Sequence, residues 1–150
     1  MIKIKHYKIF IDTSVLIAAT LSNSGASKMI FRLANKKYLT IMLTEKVVQE
    51  ANKIMRKKYG QIEISDLINL LSDFKKSILL SPSKNEENQF KDIILDQNDT
   101  HILAGAKKYQ ADIILTLDKK HFFSNKILKA KLPYTIKLPG DFLKELRKNS

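Results

Sequence analysis

Apolar, strand-like runs alternate with helical stretches along this chain, and that order restricts the fold more than any other feature of the sequence. The strand-like runs, such as "KIFID" and "ADIILTLD", are apolar on both faces, as burial on two sides requires. We predict strands at 8–12, 38–44, 77–81, 111–118 and 134–138. We predict helices at 14–20, 25–37, 45–58, 65–74, 86–95, 99–109 and 141–148. Strands separated by helices form βαβ units, so we expect a three-layer α/β/α fold around a parallel sheet of about five strands.

The length of 150 residues predicts a single domain spanning 1–150, and an apolar fraction of 44% is typical of a globular chain. The chain contains no cysteine, which excludes disulfides and thiolate metal sites. Its first residues carry positive charge but no long apolar run and no small-residue cleavage site, so we expect no leader peptide. No run is long enough to cross a bilayer, and we expect a cytoplasmic protein without a membrane partner.

The charge balance indicates the class of partner. Lysine and arginine number 27 against 15 acidic residues, which gives a formal net charge of +12. A chain this basic tends to bind polyanions, either nucleic acid or an anionic membrane, and an acidic partner protein is a further alternative. We favour nucleic acid among the three.

Two acids lie where predicted strands end. Asp12 closes the first strand, within "IFIDTSVLIAA", and Asp118 lies just past the end of the fourth. Sites in open parallel sheets lie beyond the carboxyl ends of the strands, so we expect both acids at one edge. Asp112 opens the fourth strand and belongs to the opposite edge, which excludes it from the site. Asp12 taken alone also fits a turn residue.

The stretch "DQND" offers more capping residues than one helix start uses. We assign the cap to Asp96 or Asn98, which leaves Asp99 for the site. The helix after the second strand begins near Thr44 and brings either Glu45 or Glu50 to the same edge.

Helix geometry alone does not separate these two glutamates. Glu45 lies in the first helical turn, where a negative charge stabilises the helix dipole and needs no functional explanation. Glu50 lies beyond the reach of the dipole. We favour Glu50 for the site because no structural role explains it.

Four carboxylates gathered at one edge would repel one another strongly in a partly dry site, and divalent cations relieve such repulsion. The four are Asp12, Glu50, Asp99 and Asp118. Carboxylate oxygen suits Mg²⁺ or Mn²⁺ better than zinc. The histidines show no metal-ligand spacing, and we interpret each as a surface or packing residue; they are His6, His101 and His121. An acidic pocket on a basic protein suits a phosphate polymer that is held by lysine and arginine and cut at bound metal.

Three blocks of the sequence together resemble a PIN domain. They are "IFIDTSVLIAA", "GASKMIFRLANKKYLTIMLTEKVVQEANKIM" and "DQNDTHILAGAKKYQADIILTLDKKHF". The last block is the most specific, because it combines an acid that opens a helix, an "ADIILT" strand and then Thr-x-Asp. The stretch "SNSGAS" followed by a helix is similar to one subgroup, the toxin components of toxin–antitoxin pairs.

The resemblance implies a sheet of order 3-2-1-4-5 and a metal-dependent endoribonuclease whose products carry 5′-phosphate and 3′-hydroxyl ends. The family's acidic quartet maps onto the four carboxylates named above as metal ligands and catalytic residues, with Mg²⁺ or Mn²⁺ as cofactor. Small hydroxyl residues of the family that support the site match Thr13, Ser14 and Thr116. One departure is Leu117, which stands where the family's usual "TGD" has glycine.

The implied partner is RNA, and an antitoxin protein and a second copy of the chain are further candidates. The lysines best placed for RNA are Lys119 and Lys120, which directly follow a site acid. The other candidates for RNA contact are Lys36, Lys37, Arg56, Lys57 and Lys58. An alternative function is a non-catalytic, RNA-binding or regulatory PIN domain.

Two other kinds of phosphate chemistry fit the sequence less well. A haloacid-dehalogenase-like phosphatase requires an acid two residues after the first, where this chain has Ser14. A receiver-like phosphoacceptor requires paired acids at the end of the first strand, where Ile11 precedes Asp12.

Overall fold

The computed structural model describes residues 5–149, so residues 1–4 and 150 of the expected domain lie outside the described part. The described strands are β1 (Lys8–Ile11), β2 (Thr40–Thr44), β3 (Ile78–Leu79), β4 (Ile113–Leu115) and β5 (Thr135–Lys137). The described helices are α1 (Thr13–Leu21), α2 (Ala26–Asn35), α3 (Glu45–Lys58), α4 (Gln61–Ser72), α5 (Lys84–Asn88), α6 (Thr100–Lys108), α7 (Lys119–Phe122), α8 (Asn125–Lys129) and α9 (Pro139–Lys148). Within this range, no helix is both long and apolar enough to span a membrane.

The strands form one parallel sheet in the order β3-β2-β1-β4-β5, which confirms the predicted fold. The central strand β1 is covered on both faces, since Ile9, Phe10 and Ile11 are all fully buried. Alternate side chains of a strand point to opposite faces, so Phe10 projects to one side and its neighbours to the other. Helices therefore flank both faces of the sheet, as the two-sided apolar runs predicted.

Helix α6 approaches β1 closely, and a glycine permits this contact. A Cβ atom added at Gly105 would lie only 2.6 Å from Cζ of Phe10. The absence of a side chain at this position lets α6 pack directly on the ring. This packing matters for function because α6 begins immediately after Asp99.

The largest departure from the predicted elements is at 86–95, where the prediction of a continuous helix was wrong. Helix α5 begins at a capping box formed by Ser83 and Glu86, but it ends at Asn88 and turns follow. The Gln97 side chain donates hydrogen bonds to the carbonyl oxygens of Lys91 and Ile94. These carbonyls bond to a side chain rather than to helical N–H groups, so the segment folds as turns. The short helices α7 and α8 were not predicted.

Candidate metal centre

Strand register brings the ends of β1 and β4 together. Ile11 lies opposite Leu115, so the residues that follow them, Asp12 and Thr116, leave the sheet at the same edge. The backbone N–H of Asp12 extends this pairing by donating to the carbonyl oxygen of Leu115 at 3.1 Å. Asp112 lies at the opposite edge, as predicted, where its carboxylate accepts from the backbone N–H of Lys8 at 2.8 Å.

The buried carboxylate of Asp12 is held by three donors. Oδ1 accepts from the backbone N–H of Thr13 at 2.7 Å, while Oδ2 accepts from the hydroxyls of Ser14 at 2.8 Å and Thr116 at 2.6 Å. Burial nevertheless raises the pKa of Asp12, because the loss of hydration outweighs the hydrogen bonds, and the charge of Asp118 adds to the rise. All three predicted hydroxyl residues therefore lie at the site.

Asp118 is tied to Asp12 through Thr116. The hydroxyl that donates to Asp12 also accepts from the backbone N–H of Asp118 at 3.0 Å. Asp118 in turn begins α7, where its Oδ1 accepts from the backbone N–H of His121 at 3.1 Å. Leu117 between them donates its backbone N–H to Ser14 at 3.0 Å and exposes its side chain to solvent. The departure from glycine at Leu117 thus leaves the acids in place.

The "DQND" segment divides its acids as predicted. Oδ1 of Asp96 accepts from the backbone N–H of Asn98 at 2.9 Å and caps a short 3₁₀ turn, whereas Asp99 forms no capping hydrogen bond. Oδ2 of Asp99 is buried and has no hydrogen-bond partner among the described residues. Burial raises the pKa of Asp99 to about 7, with additional repulsion from the charges of Asp12, Asp96 and Asp118.

Glu50, rather than Glu45, contacts other residues of the site, while Glu45 is exposed. Oε2 of Glu50 accepts from the hydroxyl of Thr13 at 3.0 Å, and Oε1 lies 2.9 Å from Nε2 of the buried His101. Burial alone raises the pKa of Glu50, but the opposing effects of His101, Thr13 and Lys46 leave it below its ordinary value. Glu50 is therefore held as a carboxylate.

Two histidines require a correction, because His101 and His121 both contact site acids. Nδ1 of His121 lies 2.7 Å from Oδ2 of Asp118 and 3.3 Å from Oδ2 of Asp99. Both histidines closely follow a predicted site acid in sequence. The prediction considered only the spacing between histidines and so missed this signal. His6 is exposed and contacts Thr40, as expected of a surface residue.

The donor set fits a divalent cation. The charge of Asp118, which follows β4, adds to the rise in the pKa of Asp12 at the end of β1, and both charges add to the rise in the pKa of Asp99 at the start of α6. Asp96, Asp99 and His121 each offer a ligand atom within 4.8 Å of the others. Mg²⁺ and Mn²⁺ prefer oxygen ligands such as carboxylates, and the buried Oδ2 of Asp99 has no hydrogen-bond partner among the described residues.

The basic candidates are all exposed but do not share one location. Lys119 and Lys120 begin α7, directly after Asp118, and lie at the edge of the acids. Lys36 and Lys37 precede β2 and lie at the opposite edge. The last three candidates are Arg56, Lys57 and Lys58. They lie at the end of α3, roughly three to three and a half helical turns from its start at the acidic edge.

Solved structures with similar folds include three proteins from bacteria. FitAcB from Neisseria gonorrhoeae superposes with a TM-score of 0.62 at 16% identity, covering 88% of this chain and 98% of that one. VapBC2 from Rickettsia felis, bound to a DNA fragment from its promoter, has a TM-score of 0.60 at 15% identity, covering 87% and 98%. VapC20 from Mycobacterium tuberculosis, a toxin that cleaves the sarcin-ricin loop, has a TM-score of 0.53 at 14% identity, covering 75% and 91%.

Identities this low establish a shared fold and leave activity open. No curated protein matches this chain. The family model described as "PIN domain" matches residues 8–120, a span that runs from β1 through the start of α7 and includes the four candidate carboxylates. The chain therefore belongs to the PIN domain family.

Proposed function

We propose that this PIN domain is a metal-dependent endoribonuclease and the toxin component of a toxin–antitoxin pair. The observation that carries the proposal is the convergence of four carboxylates from separate segments at the carboxyl edge of the sheet. They are Asp12, Glu50, Asp99 and Asp118. This edge is where open parallel sheets bind their ligands.

The proposed ligands of the cation are Asp12, Asp99 and Asp118, with Glu50 as a further acid of the site. A bound Mg²⁺ or Mn²⁺ would supply the positive charge that activates a water molecule and stabilises the transition state of phosphodiester hydrolysis. The buried oxygen of Asp99 and the mutual repulsion of the acids support this assignment.

Hydroxyl side chains prepare the acids for this role. Thr116 and Ser14 fix the position of Asp12 and favour its charged form against the effect of burial, while Thr13 orients Glu50. Carboxylates that are already oriented need little rearrangement when a cation binds. The hydrogen bonds of these hydroxyls therefore preorganise the site for a cation.

The basic surface supports an RNA substrate, which the protein would meet in the cytoplasm. Lys119 and Lys120 follow Asp118 directly and are the candidates for contact with the phosphates beside the cleaved bond. The formal net charge of +12 favours association with a polyanion generally.

The similar folds of VapC20, FitAcB and VapBC2 support the toxin assignment. On this basis we propose an antitoxin protein as a partner that masks the activity. Homodimer formation stays a prediction from the family resemblance.

The test is cleavage of RNA by the pure protein with Mg²⁺ or Mn²⁺ added. We expect cleavage that EDTA abolishes and that Asp12→Asn reduces at least about 100-fold, because loss of a ligand removes the cation. Products should carry 5′-phosphate and 3′-hydroxyl ends. If wild type and Asp12→Asn bind RNA equally and neither cleaves it, the protein is an RNA-binding domain without catalysis.

A further inference from the structure

We propose that His121 supplies a nitrogen ligand to the metal centre and gives it a preference for Mn²⁺ over Mg²⁺. This inference rests on the proposed metal-dependent function and adds a residue outside the carboxylate quartet. It concerns which cation the site selects, which the carboxylates alone leave undetermined.

The position of His121 is set by a short helix with two anchors. Helix α7 is capped by Asp118, and its next-to-last residue, His121, precedes the fully buried Phe122. Burial of Phe122 holds the helix against the core, and the cap by Asp118 fixes where the helix starts. The backbone of His121 is therefore held beside the acids.

The distances place the imidazole among oxygen donors. Nδ1 of His121 is 2.7 Å from Oδ2 of Asp118 and 3.3 Å from the buried Oδ2 of Asp99. Asp96, Asp99 and His121 offer a mixed set of nitrogen and oxygen donors within 4.8 Å of one another. Donors sharing one cation at about 2.1 Å lie roughly 3–4 Å apart, so the set is close to the required spacing.

The donor chemistry predicts the selectivity. Mg²⁺ prefers oxygen ligands and binds imidazole poorly, whereas Mn²⁺ stands higher in the affinity order for nitrogen donors. A pocket of carboxylates alone would discriminate weakly between the two ions. Adding Nδ1 of His121 strengthens binding of Mn²⁺ more than binding of Mg²⁺.

A different role for His121 makes the opposite prediction. If the imidazole only occupies the place of the cation in the metal-free protein, it competes with both ions. Its removal would then strengthen binding of Mn²⁺ and Mg²⁺ alike.

The experiment measures Kd for Mn²⁺ and Mg²⁺ by calorimetric titration of the metal-free full-length protein, comparing wild type with His121→Ala. We expect Kd for Mn²⁺ to rise at least about tenfold, since even outer-shell partners of ligands contribute that much, while Kd for Mg²⁺ changes much less. His6→Ala is the matched control, because His6 is exposed and hydrogen-bonds to Thr40 at the start of β2, at the edge opposite the acids; both affinities should stay at the wild-type value.

A second measurement does not depend on the His121 variant folding. Pulsed electron paramagnetic resonance of Mn²⁺ bound to the wild-type protein should show coupling to a directly bound nitrogen. At saturating Mn²⁺ this coupling should persist in His101→Asn, which removes the other histidine near the acids.

The outcomes separate this inference from the function on which it rests. Wild-type protein that binds neither ion overturns both. If wild type binds both ions and cleaves RNA, but His121→Ala keeps or strengthens Mn²⁺ binding and no nitrogen coupling appears, only the role of His121 is overturned.

Discussion

The hydroxyl of Thr116 joins two strand ends, and this single residue links stability to metal binding. It donates to Asp12 and accepts from the backbone N–H of Asp118, and it is fully buried. A side chain that lacks the hydroxyl but keeps the shape would leave both partners without that hydrogen bond.

We therefore expect Thr116→Val to lower the free energy of unfolding by about 1–3 kcal/mol and to weaken Mn²⁺ binding roughly 10–100-fold. Thermal unfolding and calorimetric titration would measure the two effects. Thr20→Val is the matched control, since the buried hydroxyl of Thr20 donates to the carbonyl oxygen of Leu16 within α1. Equal loss of metal affinity in both variants would contradict the role of Thr116.

Metal binding should depend on pH through Asp99, whose pKa of about 7 is well above its ordinary value of 3.8. Below pH 7 an entering cation must displace the proton, so we expect the affinity for Mn²⁺ to fall up to about tenfold per pH unit and to level off above pH 7. Titrations between about pH 5.5 and pH 8.5 measure this. An affinity for Mn²⁺ that stays constant down to the lowest pH would contradict the role of the Asp99 proton.

The same raised pKa has a consequence for folding. The folded, metal-free protein holds the Asp99 proton more tightly than the unfolded chain does. The contribution of this group to stability is therefore greatest at low pH and declines as the pH rises from about 4 to about 7. A bound divalent cation opposes that decline, because it binds the folded state alone.

At the scale of elements, the position of α6 decides whether Asp99 and His101 reach the site. The helix packs on β1 where Gly105 faces the ring of the fully buried Phe10. Any displacement of α6 from the sheet moves its first residues relative to Asp12.

We expect Gly105→Ala to lower the free energy of unfolding by about 1–3 kcal/mol, because the added methyl group would overlap the Phe10 ring. This steric cost outweighs the gain of up to about 1 kcal/mol that alanine brings to a helix. Gly140→Ala in α9 is the control, since an added Cβ there meets nothing within 4 Å. Denaturant unfolding compares the two, and equal stability in both variants would refute the proposed close packing.

On the scale of the whole molecule, lysine pairs lie at both edges of the sheet, but the four site acids lie at one. RNA that is cut at the acids should cross the surface beside α7. We expect the double variant Lys119→Gln/Lys120→Gln to reduce the slope of log affinity against log salt by about 1.4, or about 0.7 for each lost contact with single-stranded RNA.

The matched control is Lys36→Gln/Lys37→Gln, which removes the same charge at the opposite edge. Both pairs of substitutions are made in the Asp12→Asn background to prevent cleavage. Fluorescence anisotropy then measures the binding of a short RNA at several salt concentrations. An equal change of slope in both would show that RNA binding depends on net charge rather than on a path across the site.

Much of the fold was predictable because its signals are local. Apolar runs and helix starts predicted the parallel sheet, and the ends of β1 and β4 directed Asp12 and Asp118 to one edge. Capping preferences distinguished the cap Asp96 from the site acid Asp99 for the same reason, since a capping side chain bonds to a backbone N–H only a few residues away. The segment 86–95 was predicted wrongly because the Gln97 side chain bonds to carbonyls that a local pattern assigns to a helix.

The sequence by itself determined the order of elements, the edge that carries the acids and the sign of the surrounding charge, because each depends on neighbouring residues or on simple sums. Only the tertiary structure decided that His101 meets Glu50 and that His121 meets Asp99. These contacts join separate elements, and their distances follow from how α3, α6 and α7 pack around the sheet. A pattern along the chain does not encode such packing. It results from the burial of side chains such as Phe10 and Phe122 between the elements of the core.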